Sequence, residues 1–128
     1  MNKAESIHAF FSSFGIPAYE ENSVPDYLDD AQAEKNEPPY ITYQLATDEF
    51  RGEPVAITAD IWDCSESWAF LNNIVDEISE AIGRHKSLLC DDGYIIVTKG
   101  NPFAQSISDD TDIYKRKYLN LTLTFITN

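Results

Sequence analysis

This chain of 128 residues is short of basic charge: nine Lys and Arg stand against 22 Asp and Glu, a net charge of −13. A nucleic acid gripped through its phosphates demands cationic neutralisation, so the deficit disfavours DNA or RNA as a tightly bound partner. Long hydrophobic runs are missing as well; the longest cover only a few residues, as at Tyr94-Ile95-Ile96-Val97. A membrane-spanning helix takes about 20 apolar residues, so no membrane partner is expected. The first residues lack a basic stretch followed by an apolar core, so no secretory signal is expected. Synthesis in a cytosol, or carriage away in a particle, is the expectation. Cysteine is scarce: Cys64 and Cys90 are the whole complement. Two cannot make a disulfide scaffold, and a cytosolic setting favours free thiols over a bridge. The five glycines are scattered as caps and turns and form no phosphate-cradling loop.

Apolar residues are not lacking. They make up 43% of the chain, with seven Phe, seven Tyr and two Trp, which is enough for one packed domain spanning 1–128. Ile7, Phe10, Phe11 and Phe14 recur at i, i+3, i+4 and i+7, which predicts a helix over 3–14. Asn2 and Glu5 have capping-box spacing, while Gly15 and Pro17 stop it. Tyr40 to Ala46 and Val55 to Ile61 alternate as strands joined by a loop holding Gly52 and Pro54. Trp68, Leu71, Ile74, Val75, Ile78 and Ile82 mark a second helix, capped by Ser65 or Ser67 and ended by Gly83. Arg84, His85 and Lys86 then fall where a helix C-terminus favours cations.

Ser87 to Cys90, Asp91-Asp92-Gly93 and Tyr94 to Lys99 read as strand, turn and strand. Gly100 to Asp112 reads as a polar loop, and Leu119, Leu121, Leu123 and Phe125 as one face of a final strand. The expected order is αββαβββ, one α+β domain with two helices packed on one face of a largely antiparallel sheet.

Residues 20–39 break every period. Glu20, Glu21, Asp26, Asp29, Asp30, Glu34 and Glu37 face Lys35 alone, with prolines at 25, 38 and 39. So acidic a connecting segment cannot offset its ordering entropy by core burial. Tyr19, Val24, Tyr27 and Leu28 are its apolar anchors and form the candidate interface, ordered against a neighbouring subunit and loose without one. Tyr19, Tyr27 and Tyr114 are expected to be exposed.

Catalytic constellations are hard to assemble. Cys64 precedes a helix, where a thiol pKa can fall, but neither His8 nor His85 has a spacing that ties it to that thiol. Cys90 suits core filling, and both tryptophans, Trp62 and Trp68, suit the core. Asp109, Asp110 and Asp112 could supply oxygens to a hard cation, yet without the glycine and distal Glu of a calcium loop a solvated turn is favoured. The pairs Asp29-Asp30 and Asp91-Asp92 read likewise as turns. No catalytic residue, metal or cofactor is expected, and no enzyme.

Several passages together resemble one family. FFSSFGIPAYEENSVPD, PYITYQL, ADIWDCSESWAFLNNIVDEISEAIG, CDDGYIIVTKGNPFAQ and YLNLTLTFIT are similar to the corresponding parts of phage tail-completion, or tail-terminator-like, head-tail joining proteins of siphophages and Gram-positive prophages. The resemblance covers essentially the whole chain and rests on packing and turn residues. It implies a structural virion protein of the tail or neck, made in the bacterial host cytoplasm. Its partners would be further copies of itself in a ring, commonly a hexamer, together with the major tail tube protein and the head-tail connector. DNA would pass through without being gripped, as a negative lumen allows. The competing expectation from charge is an acidic DNA-mimic inhibitor of a DNA-binding enzyme, although a mimic needs its acids along one elongated face.

Overall fold

A computed structural model of the chain describes residues 1–28, 31, 32, 34–44, 54–108 and 114–127. Along it run α1 (Lys3–Ser12), β1 (Ala18–Glu20), β2 (Tyr40–Tyr43), β3 (Val55–Cys64), α2 (Ala69–Ile82), β4 (Lys86–Cys90), β5 (Gly93–Ser108) and β6 (Tyr114–Thr127). The chain is one α+β domain with two helices and a six-stranded sheet ordered β1-β2-β3-β6-β5-β4. One strand is added to the expected order, giving αβββαβββ. The addition makes the sheet mixed, since β1 runs parallel to β2 with Ala18 beside Ile41, while the other pairings are antiparallel.

Strand alternation sorts the sheet into two faces. Ile57, Ala59 and Ile61 on β3 share a buried cluster with Leu119, Leu121, Leu123 and Phe125 on β6, Ile95 and Val97 on β5, and Ile41 and Tyr43 on β2. The apolar stripes of both helices join that cluster, Ile7, Phe10 and Phe11 from α1, and Leu71, Ile74, Ile78 and Ile82 from α2. Burying a side chain of this size contributes about 1.5–3 kcal/mol, so the cluster holds the fold. Helix α2 lies over β3, β5 and β6, whereas α1 touches β1 and β4, the two outermost strands. One short helix can reach both edges only because the sheet curls around it.

Capping explains where the helices begin. Asn2 Oδ1 accepts the Glu5 amide at 2.8 Å and Glu5 Oε1 accepts the Asn2 amide at 3.0 Å, the capping box anticipated from spacing. Helix α1 ends at Ser12, before Phe14, which packs against the core from outside it. Neither Ser65 nor Ser67 is the N-cap of α2; Trp68 holds that position without a side-chain cap. Ser67 Oγ accepts the Ala69 amide from one residue earlier, and Ser65 Oγ donates to the buried Asp63. Arg84 and Lys86 fall beyond the last turn, because Gly83 turns the chain with φ +56°.

The loop expected from Gly100 to Asp112 is instead mostly strand. Through Lys99, β5 pairs with Leu121, then shifts register over residues 100–103 and resumes with Ala104 beside Leu119. The turn-forming residues Gly100, Asn101 and Pro102 are taken up by this bulge. Gly100 is required there: a Cβ would lie 2.7 Å from Asn120 Cβ and 2.9 Å from the Asn120 carbonyl oxygen. Asn120 Nδ2 in turn donates to the Pro102 carbonyl at 3.1 Å. Strand β2 is described only to Tyr43; Leu45, Ala46 and Gly52 lie outside the described residues, as do the Asp29-Asp30 pair and Asp109, Asp110 and Asp112.

Candidate functional site

The acidic segment leaves β1 and returns to β2. Its flanks meet in a short antiparallel ladder. The Leu28 amide donates to the Glu34 carbonyl at 2.7 Å, the Asn36 amide to the Asp26 carbonyl at 2.8 Å, and Tyr27 lies opposite Lys35. Asn36 Nδ2 also holds the Pro25 carbonyl at 2.9 Å. This pairing joins residues six to eleven apart, which no local period announces.

Of the four candidate interface residues, Tyr27 and Leu28 sit together on this ladder and are 40% and 52% exposed. Val24 is half-buried before it. Tyr19 stands apart on β1, half-buried with its ring edge-on to Tyr40, centroids 5.7 Å apart. Tyr114 is likewise half-buried. The expectation of three exposed tyrosines therefore holds only for Tyr27, because β1 and the full length of β6 draw the other two onto the sheet.

On the face turned away from Ile57, Ala59 and Ile61, the sheet carries a strip that the sequence did not disclose. Register sets Tyr40 beside Trp62, Trp62 beside Arg116, and Cys64 beside Tyr114. Trp62 Nε1 donates to Thr42 Oγ1 at 3.0 Å, and the Arg116 guanidinium lies over the Trp62 ring, 5.0 Å from its centroid. Lys35, Asn36, Glu37 and Pro38 cross its end, leaving a cavity of about 320 Å³ against Tyr40, Trp62 and Tyr114. Trp62 is thus not core, whereas Trp68 packs against it, with Lys115 and Lys117 near its ring. Alternation puts Asp60 and Trp62 on one face of β3, but only the register with β6 brings Arg116 beside them.

Asp60 is the strained member of the strip. Its Oδ1 is buried without a hydrogen bond, and the Arg116 Nε lies 3.6 Å away, an ion pair beyond hydrogen-bonding reach. Burial raises its pKa above the ordinary carboxylate value, with Arg116 opposing and Glu21 reinforcing the rise.

One hydrogen-bonded series has the form of a nucleophile, base and orienter. Ser12 Oγ lies 3.2 Å from His8 Nε2, and His8 Nδ1 lies 2.8 Å from the Tyr43 hydroxyl. Chemically it is poorly placed. Ser12 closes the C-terminal turn of α1, where the helix dipole opposes a developing oxyanion. Burial pushes the Tyr43 phenol further above its usual pKa, so it stays neutral and cannot stabilise an imidazolium as a carboxylate would. Stacking of Tyr43 on Phe11, with centroids 4.9 Å apart, gives the series a packing role.

Cys64 and Cys90 are both free and half-buried, Cys90 against the core. Among the described residues no group of three or more His, Cys, Asp or Glu side chains converges to hold a metal, and no helix is long and apolar enough to cross a membrane. No protein-family model matches the chain, and no curated protein matches it.

Proposed function

We propose that this chain is a structural virion protein that assembles as a ring at the head-proximal end of a phage tail. There it ends the tail tube and joins it to the head connector. The observation that carries the reading is the whole-chain resemblance, whose phrases coincide with the framework of the fold. PYITYQL supplies Ile41 and Tyr43 to the core. ADIWDCSESWAFLNNIVDEISEAIG contains Ala59, Ile61 and the junction into α2, and YLNLTLTFIT contains the inward-facing row of β6 from Leu119 to Phe125.

In this reading the helices cover one face of the sheet, and the other face and the acidic segment are left for neighbours. Partners are further copies of the chain, most simply six, the major tail tube protein and the connector protein. DNA passes a surface too acidic to hold it. The reading requires no chemistry of the chain, and the Ser12-His8-Tyr43 series is structural within it.

The test is genetic and visual. In the phage or prophage that carries the gene, its inactivation should yield filled heads without tails and tube lengths no longer uniform by negative-stain microscopy. Genes for head completion and the major tail protein should flank it. Normal virions from the inactivated genome would overturn the proposal, and so would capture of a DNA-processing enzyme with loss of its activity, which is the result an acidic DNA mimic would give.

A further inference from the structure

The cavity of about 320 Å³ on the outer strip has a wall of aromatic side chains and a rim of mixed charge. Tyr40, Trp62 and Tyr114 come from β2, β3 and β6. Several of the lining groups are held by contacts made elsewhere. Trp62 Nε1 is committed to Thr42 Oγ1, which leaves the indole its aromatic surface to offer. Tyr19 braces Tyr40 edge-on. Asn36 Nδ2 is committed to the Pro25 carbonyl, which leaves Asn36 Oδ1 as an acceptor. Burial pushes the Tyr40 phenol above its usual pKa, and Tyr19 and Tyr114 add to the rise, so its hydroxyl stays neutral and can donate or accept. A platform fixed in this way loses little freedom when a ligand settles on it.

The rim decides what that ligand is. Lys35 and Glu37 are both exposed and line the cavity with opposite charges. An anion would meet the Glu37 carboxylate, and a cation the Lys35 ammonium. A purely apolar molecule would strip water from polar groups and return no hydrogen bond. What matches is a neutral molecule with a flat apolar face and an edge of groups that donate and accept. A pyranose sugar is built in this way: C–H bonds on one face lie well against an aromatic side chain, and each hydroxyl both donates and accepts. At about 320 Å³ the cavity is near the lower end of ligand pockets, which suits a single sugar and not a long chain.

We propose that this cavity binds a neutral pyranose sugar, its C–H face against Trp62, Tyr40 and Tyr114, with Lys35 donating to its hydroxyls and Glu37 accepting from them. The inference is independent of the tail reading.

Nuclear magnetic resonance on the full chain tests it, following the indole N–H signals of Trp62 and Trp68. The probes are glucose, galactose, rhamnose and N-acetylglucosamine, each titrated to about 100 mM, well above the Kd of about 1–10 mM open to so small a ligand. At least one sugar should shift the Trp62 signal saturably and leave Trp68 unmoved. Trp62→Ala, read by saturation transfer to the sugar, should weaken binding about tenfold or more. Glu37→Gln, at an exposed position where the fold is not at risk, should weaken it about threefold or more. The methyl glycoside of the sugar that binds separates the sources: undiminished affinity assigns a sugar carried on a glycan, and lost affinity a free one.

Failure of all four sugars overturns the proposal, and so does an affinity that Glu37→Gln leaves unchanged. Tighter binding of tetramethylammonium, inorganic phosphate, zwitterionic glycine or a proline-rich peptide to the same residues overturns it as well. None of these results bears on tube length, by which the tail reading is judged.

Discussion

Gly100→Ala is the sharpest perturbation of the fold. The added methyl would meet Asn120 Cβ at 2.7 Å and the Asn120 carbonyl oxygen at 2.9 Å, nearly 1 Å inside an ordinary contact of about 3.5–4.0 Å. Asn120 cannot withdraw easily: it sits in the middle of β6, in register with Thr58 of β3. Overpacking of this kind costs about 1–3 kcal/mol. For a chain of 128 residues the entropy of unfolding is about 0.27 kcal/mol per degree, so the melting temperature should fall by roughly 4–11 °C. Calorimetry and urea unfolding, with Asn101→Ala at the exposed neighbouring position as control, measure it. Adding Asn120→Gly should recover part of the loss, since it removes the Cβ contact but not the carbonyl one. A single variant melting within 2 °C of wild type, a shift of less than about 0.6 kcal/mol, would refute the argument and mean that the bulge opens freely.

Two further outcomes follow from the geometry. Cys64→Ser and Cys90→Ser should both leave assembly intact, with Cys90→Ser the less stable by about 1 kcal/mol because it places a hydroxyl against the core; a soluble, folded Cys64 variant that blocks virion production would contradict this. Asp60 has a folded pKa raised by burial, so its proton binds the folded state more readily than the unfolded one. Above the raised pKa the ionised side chain costs stability, and the cost fades as pH falls through that value towards the ordinary one. Asp60→Asn should therefore melt higher than wild type at pH 7, and the gap should close towards pH 4. A gap that widens with acid would show that attraction to Arg116 outweighs burial.

Much of the architecture is legible wherever the periods are long. The face of α2 from Leu71 to Ile82 and the row from Leu119 to Phe125 need only local spacing to be read. What escaped depends on pairing partners distant in sequence. Three residues, Ala18–Glu20, are too few to show a period and become a strand only through Ile41 and Tyr43. Turn residues at 100–102 signalled a loop, yet β6 carries the partner strand past them. Likewise, Asp60, Trp62 and Arg116 come from strands more than fifty positions apart, so their stack is a property of register. In the candidate interface, Tyr27 and Leu28 were legible as apolar residues stranded in acidic chain. Tyr19 looked the same, but pairing of β1 with β2 sets its ring against Tyr40.

Helix α1 has a consequence for how the chain comes to be folded. It is tied to β4 and the turn that follows: Ser6 Oγ donates to the Leu89 carbonyl at 2.6 Å, and the Asp91 amide donates to the Met1 carbonyl at 2.7 Å. These bonds span 83 and 90 residues. During synthesis the helix emerges before the strands it packs on and waits, Ile7, Phe10 and Phe11 bare, until the hairpin after Cys90 has cleared the ribosome. At about 5–20 residues per second, that wait lasts several seconds or longer. Closure between such distant partners is slow, and the nascent amphipathic helix is the segment a chaperone would meet.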